Sequence, residues 1–278
     1  VTTPSHPQIL VDSAWLATHL QDPKLIILDA SIAPAGTSPE PEQTICTIPK
    51  ARCFDIDQVF SDPNSPFPHT LPTPKDFTLK AQALGINNNN HLIVFDNMGI
   101  FSAPRAWWMF NAMGHQQVSI LNGGLSAWQR AGFDCVDKYG HAAISGNFQA
   151  NLQNGWFVHI NDIEQMIDKP TAIVIDARNA DRFHSRVDEP RPGLRRGNIP
   201  GSLNLPYESL LQQGSYLSID EMQKQFDALS LNQQHPLFFS CGSGVTACVD
   251  AVAAKLCGYQ NISVYDGSWC EWGSKKTS

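Results

Sequence analysis

The chain has 278 residues, 42% hydrophobic and 16% charged, with a net charge of −7; this globular composition leaves room for two domains. The negative balance argues against nucleic acid and anionic membrane surfaces as partners, which need a positive field, and no apolar run approaches bilayer-spanning length. Residues 1–7 have neither the basic nor the apolar stretch of a signal peptide, and seven cysteines without a C-x-x-C pair fit free thiols in a reducing compartment, the cytoplasm or, in a eukaryote, the mitochondrial matrix.

Along the chain, the first strong signal is Leu25-Ile26-Ile27-Leu28, followed by Asp29-Ala30. A run this short and uniformly apolar reads as a strand buried on both faces, hence parallel. Ile48-Pro49-Lys50-Ala51 follows, then a second strand, Leu92-Ile93-Val94-Phe95, ending in the turn Asp96-Asn97-Met98-Gly99. Leu121-Asn122-Gly123-Gly124 leads to Trp128, and the Gly- and Asn-bearing stretch 132–155 loses periodicity, as linkers do. The same landmarks then recur in order: Ile173-Val174-Ile175-Asp176-Ala177, Ile199-Pro200-Gly201-Ser202, Pro236-Leu237-Phe238-Phe239, and Tyr265-Asp266-Gly267 leading to Trp272. Helical patterns occupy 162–167, 220–229 and 246–256. Matching Trp128 to Trp272 gives an offset of 272 − 128 = 144. Strands alternating with helices, repeated once, predict two tandem α/β domains, each a mostly parallel doubly wound sheet flanked by helices. The divisions are set at 1–140, a linker at 141–155, and 156–278.

Ligands in such sheets sit beyond the carboxyl ends of the strands. One segment there has a distinctive composition: Phe239-Ser240-Cys241-Gly242-Ser243-Gly244-Val245-Thr246-Ala247. A buried strand ends, a Gly-rich loop begins with Cys, and a helix follows. Glycines let successive N–H groups curl inward, and these together with the positive end of the helix favour an anion such as a thiolate. A free cysteine is ordinarily a small buried hydrophobe. That reading suits Cys46, Cys53, Cys135, Cys248, Cys257 and Cys270, but the strand-to-helix turn marks Cys241 as a nucleophile. With the offset of 144, its counterpart in the first copy is Asn97, so only the second copy carries a thiol there.

Two tandem copies with Cys in the second alone resemble the rhodanese superfamily over about residues 11–273. The loop Cys241-Gly242-Ser243-Gly244-Val245-Thr246 is similar to its 3-mercaptopyruvate sulfurtransferase branch; the rhodanese-proper branch has Arg and Lys where this chain has Gly242 and Ser243. The resemblance implies a sulfurtransferase that takes sulfur from 3-mercaptopyruvate as a persulfide on Cys241, passes it to cyanide or a thiol acceptor such as thioredoxin, releases pyruvate, and needs no metal or organic cofactor. It implies substrate contacts from the loop, Gly242, Gly244, Val245 and Thr246, and from Arg182 and Arg191. Guanidinium groups suit the carboxylate and ketone oxygens of that donor; the alternative for each arginine is a surface or interface ion pair. Arg178, Arg186, Arg195 and Arg196 read as structural or peripheral. The family's Asp, His and Ser relay maps to Asp57, His69 and Ser243, with Asp55 a competitor for the first place.

Three rivals stand beside this reading. A thiosulfate sulfurtransferase should carry positive side chains in the loop, which Gly242 and Ser243 lack. A cysteine phosphatase would need Arg six residues after Cys, where this chain has Ala247. A non-catalytic persulfide carrier accounts for Cys241 but not for Arg182, Arg191 and His69.

Overall fold

A computed structural model describes residues 8–37 and 45–275; the signal-peptide reading at residues 1–7 lies outside them. The first sheet has five strands, β1 (Leu10–Val11), β2 (Leu25–Asp29), β3 (Arg52–Cys53), β4 (His91–Phe95) and β5 (Val118–Leu121), in the order β1-β5-β4-β2-β3. The second repeats it with β6 (Phe157–Val158), β7 (Ile173–Asp176), β8 (Leu203–Asn204), β11 (Leu237–Ser240) and β12 (Ile262–Tyr265), in the order β6-β12-β11-β7-β8. Every pairing within both sheets is parallel. A short antiparallel hairpin, β9 (Leu211–Gln212) and β10 (Ser215–Tyr216), stands apart.

The helices of the first copy are α1 (Ser13–His19), α2 (Pro74–Ala83), α3 (Ala103–Ala112) and α4 (Gly124–Arg130). Those of the second are α5 (Ile160–Asp168), α6 (Ala180–Phe183), α7 (Ile219–Ala228), α8 (Ala247–Leu256) and α9 (Ser268–Trp272). Polar side chains cap some of their starts. Asp12 accepts from Trp15 N–H, and Ser218 and Glu221 form a capping box ahead of α7, satisfying donors that a helix start leaves open.

All ten residues of α3 are buried, and eight of α8; a helix apolar all round belongs inside a larger core. Here they pack together between the two sheets, and one apolar cluster runs from Val94, Trp108 and Phe110 to Phe239, Val249 and Ala253. The copies thus share a core. The stretch after α4 is tied to the first copy: Gly146 N–H donates to Gln82 O, Phe148 N–H to Ile86 O and Gln153 N–H to Ala112 O, with Phe148 buried.

The register corrects one sequence expectation. Asp29 lies opposite Phe95 in β2 and β4, and Asp176 opposite Ser240 in β7 and β11. The residue after each is Asp96 and Cys241. Asp96 O accepts from Leu125 N–H and Cys241 O from Trp269 N–H, both at 2.9 Å. The counterpart of Cys241 is therefore Asp96, not Asn97. The offset is 145 at the loop and falls to 144 by the helix that follows the fifth strand, because the second copy is one residue shorter in between.

Candidate active site

Cys241 follows β11 and is buried, with only 2% of its surface exposed. Its backbone is fixed on both sides. Its N–H donates to Ser268 Oγ at 3.2 Å, its O accepts from Trp269 N–H, and Gly242 O accepts from Cys270 N–H. With the carbonyls turned to α9, the N–H groups of Gly242, Ser243, Gly244, Val245 and Thr246 donate to no protein group among the described residues. Gly244 has φ +76°, and a Cβ there would lie 2.9 Å from Asp266 O, so the tight curl requires glycine.

The first copy shows what such a loop holds. The Asp96 carboxylate fills it: Oδ1 accepts from Met98 N–H, and Oδ2 from Phe101, Ser102 and Ala103 N–H at 2.8–2.9 Å. Complete burial pushes this carboxyl up to about 6 against the pull of those four donors. A loop built to surround an anion thus occurs twice, once closed over its own carboxylate and once carrying a thiol.

Two guanidinium groups meet beside that thiol. A Cβ built on Gly242 would lie 3.1 Å from Arg182 Nη2 and 3.8 Å from Arg191 Nη1. Arg182, on α6, also donates to Glu189 Oε2 at 2.6 Å, and Glu189, buried, is shared with Arg178 at 2.8 Å. Arg178 in turn grips Asp176 at 2.6 Å, donates to Gly197 O and lies over the Trp269 ring. It is a structural residue that sets Glu189, which sets Arg182. Arg191 makes no ion pair among the described residues. Arg186 and Arg196 pair with Asp181 and Asp188 on the surface, and Arg195 lies against Trp269.

The first copy contributes the other wall. His69 is buried; its Nδ1 lies 2.9 Å from Ser243 Oγ and its Nε2 3.0 Å from Asp57 Oδ1. A carboxylate only accepts, so Nε2–H donates to Asp57 and Nδ1 accepts from the Ser243 hydroxyl. Burial, and next the charge of Arg191, push His69 down to about 4 despite the opposing pull of Asp57, so the ring is neutral at pH 7. Asp55 instead accepts from Gln58 N–H and does not touch His69. The cleft these residues enclose measures about 170 Å³ and is lined by Cys241, Gly242, Val245, Thr246, His69 and both arginines, with Phe101 and Tyr207 at its side. A larger hollow of about 510 Å³ opens by Trp156 and Lys255 and holds none of the predicted site residues.

The structure thus brings together Asp57, His69, Ser243, Cys241, Arg182 and Arg191, from five stretches of chain. Sequence reasoning missed Glu189, Arg105 and Asp266. Arg105 had a signal, a lone charge in the apolar run Ala103-Pro104-Arg105-Ala106-Trp107-Trp108. It is fully buried and pairs with Asp266 at 2.6 Å.

Comparison with known proteins agrees with this doubled architecture. The family model for the rhodanese-like domain matches twice, at residues 12–131 and 159–275. The chain is 42% identical over 269 residues to the 3-mercaptopyruvate sulfurtransferase of Escherichia coli K12, covering 95% of each. It is 35% identical to thiosulfate/3-mercaptopyruvate sulfurtransferase 1 of Arabidopsis thaliana, covering 98% of this chain and 77% of that one. The crystal structure of SseA from Escherichia coli superposes with a TM-score of 0.86 at 39% identity, covering 95% of this chain and 99% of that one. With both copies matched, the sheet order repeated and the thiol loop at the end of the fourth strand of the second sheet alone, the chain belongs to the rhodanese-like domain family.

Proposed function

We propose that the chain is a sulfurtransferase that takes sulfur from 3-mercaptopyruvate onto Cys241 and delivers it to a thiol or to cyanide. The observation that carries the reading is the meeting of Arg182 and Arg191 over Gly242, beside Cys241. The Cys241 thiolate attacks the donor sulfur; the S–S bond forms, the C–S bond breaks, and its electron pair passes to the pyruvate enolate. Arg182 and Arg191 hold the carboxylate and the charged enolate oxygen, and a proton delivered to carbon gives pyruvate. Ser243 and His69, with Asp57 behind them, form the path for that proton. The outer sulfur of the persulfide rests among the loop N–H groups, as the Asp96 carboxylate does in the first copy. Cyanide then removes it as thiocyanate. A dithiol such as reduced thioredoxin removes it as hydrogen sulfide and becomes a disulfide.

In this reading residues 156–278 are the catalytic domain, residues 1–140 lend Asp57 and His69, and 141–155 join them. All seven cysteines are free, which supports work in a reducing compartment. No helix among the described residues is long and apolar enough to cross a membrane.

Donor choice follows from Gly242. Its missing side chain leaves the space Arg182 Nη2 occupies, so the cations grip oxygen atoms set back from the reacting sulfur. Thiosulfate, a dianion, would exchange strong hydration for dipoles and two charges placed for a carboxylate. Side-by-side turnover tests this: kcat/KM should favour mercaptopyruvate by a large margin at equal ionic strength. Gly242→Arg with Ser243→Lys, which crowds Arg182 and puts charge beside the sulfur, should move the ratio toward thiosulfate. A wild type that prefers thiosulfate contradicts the donor assignment.

A further inference from the structure

The His69 ring spans Ser243 and Asp57 from a backbone that resists the task. Its φ is +62°, the left-handed region that a side chain enters at a cost. The repeat shows what the fold accepts at this place. Leu71 N–H donates to Asp266 Oδ2, and Tyr216 N–H to Asn122 Oδ1; these pairs are equivalent, so His69 corresponds to Gly214, at φ +77°. At the first copy's loop the place is taken by glycine: Gly214, reaching over from the second copy, packs directly on Gly99, where a Cβ would lie 2.5 Å from Gly214 O.

At the thiol-bearing loop the same gap, between His69 and Gly244, is filled by one buried guanidinium. Arg105 Nη2 donates to His69 O at 2.6 Å and to Asp266 Oδ1 at 2.6 Å, and Nη1 donates to Gly244 O at 3.3 Å. Asp266 closes the ring by accepting from Leu71 N–H at 2.9 Å. The backbone is therefore held at His69 and two residues beyond it, and the same cation holds the residue that follows Ser243. Arg105 comes from the first copy, while Gly244 and Asp266 come from the second, so the guanidinium registers one copy's histidine against the other copy's loop. A lysine could keep the charge but could not reach both carbonyls and the carboxylate as the planar fork does.

We propose that the Arg105–Asp266 pair is a positioning element that fixes the His69–Ser243 contact, so that its worth in turnover is the worth of His69. This rests on the sulfurtransferase reading above, with His69 on the proton path. The test is a double-mutant cycle on the full chain with mercaptopyruvate and cyanide: wild type, His69→Ala, Arg105→Lys and the double variant. Arg105→Lys should lower kcat about 10–100-fold, the usual span for general acid–base help or less, with KM within about twofold. The double variant should be no slower than His69→Ala alone. Multiplying effects, or wild-type kcat in Arg105→Lys, would overturn the clamp. Wild-type kcat in His69→Ala would overturn the proton path instead, and the clamp's purpose with it, while leaving persulfide formation on Cys241 as a separate measurement. Should Arg105→Lys not fold, Asp266→Asn serves in its place. It keeps an acceptor for Leu71 N–H, weakens the hold on Arg105, and should show the same non-additivity with a smaller factor; additive effects there overturn the proposal equally.

Discussion

The two strand-to-helix loops of this molecule are one device put to two uses. In the first copy the loop after β4 closes over Asp96, whose carboxylate takes four backbone N–H groups. In the second, the loop after β11 has a thiol at that position and its N–H groups are open. Each copy also extends an arm to the other's loop, the His69 segment in one direction and the β9–β10 hairpin with Gly214 in the other. Where the arm ends in glycine, the loop is closed over its own carboxylate. Where the arm ends in histidine and the loop begins with cysteine, the parts of a sulfur-transfer site meet. On the proposed reading the chemistry depends on a few side chains, placed on a scaffold that occurs twice in the chain.

The largest expected effect comes from abolishing the difference between the loops. Cys241→Ser should remove sulfur transfer by roughly 1000-fold or more, since covalent catalysis has no substitute nucleophile here, with the fold intact by circular dichroism. Adding Asp96→Cys to that variant should restore nothing, because Arg182 and Arg191 meet over Gly242, beside the second loop's thiol position. Turnover regained in the double variant would show that the cradle alone suffices.

Next come the arginines. Arg182→Ala or Arg191→Ala should lower kcat/KM for mercaptopyruvate by on the order of 10–1000-fold, from the loss of a charge-assisted contact that strengthens at the transition state. Lys at either site should recover part. Wild-type kinetics in both Ala variants would reassign them to ion pairing. Because Glu189 orients Arg182 at 2.6 Å, Glu189→Gln should weaken the donor's hold without touching it.

Stability separates the halves more finely. Asp96→Ala leaves several buried N–H groups unpaired and should cost about 1–3 kcal/mol in urea unfolding, with turnover per folded molecule unchanged. His69→Gly should be more stable than His69→Ala by about 1 kcal/mol, because glycine enters the left-handed region freely. Equal stability would mean that the φ of +62° costs little.

The smallest effect is on pH dependence. His69 in the folded protein is pushed down to about 4 by burial and Arg191, below the ordinary value near 6.5. Between those values the unfolded chain binds the extra proton, so stability rises with pH through that window and is lost as pH falls toward 4. His115, buried and also pushed down to about 4, adds to the slope. Asp96, raised to about 6, opposes it, since the folded form then holds the proton that the unfolded chain has released. His69→Gly should flatten the acid limb between about pH 4 and 6.5, and Asp96→Asn should steepen it.

Much of this was legible in the sequence. The short, Ile- and Val-rich apolar runs at 25–28, 92–95 and 173–175 are strands buried on both faces of a parallel sheet, and the predicted helices at 162–167, 220–229 and 246–256 lie where α5, α7 and α8 begin and end within two residues. Cys241 stood out because glycine and cysteine meet where a strand hands over to a helix. The offset of 144 holds at the tryptophans but is 145 at the loop, because the copies differ by one residue in between, so Asp96 and not Asn97 matches Cys241. Arg105, Asp266 and Glu189 stayed hidden for another reason. Arg105 and Asp266 are 161 residues apart in the chain, and their pairing exists only once the copies share a core. Glu189 looked like any loop carboxylate until Arg178 and Arg182 closed on it.

Of the two loops, one should carry sulfur, and on one residue. The decisive experiment is incubation with one equivalent of 3-mercaptopyruvate, followed by pyruvate assay and peptide mass spectrometry without reductant. One pyruvate should be released per chain, with one added sulfur on the peptide containing Cys241, removed by cyanide. Pyruvate release without that sulfur, or sulfur found only on Cys257 or Cys270, would contradict it.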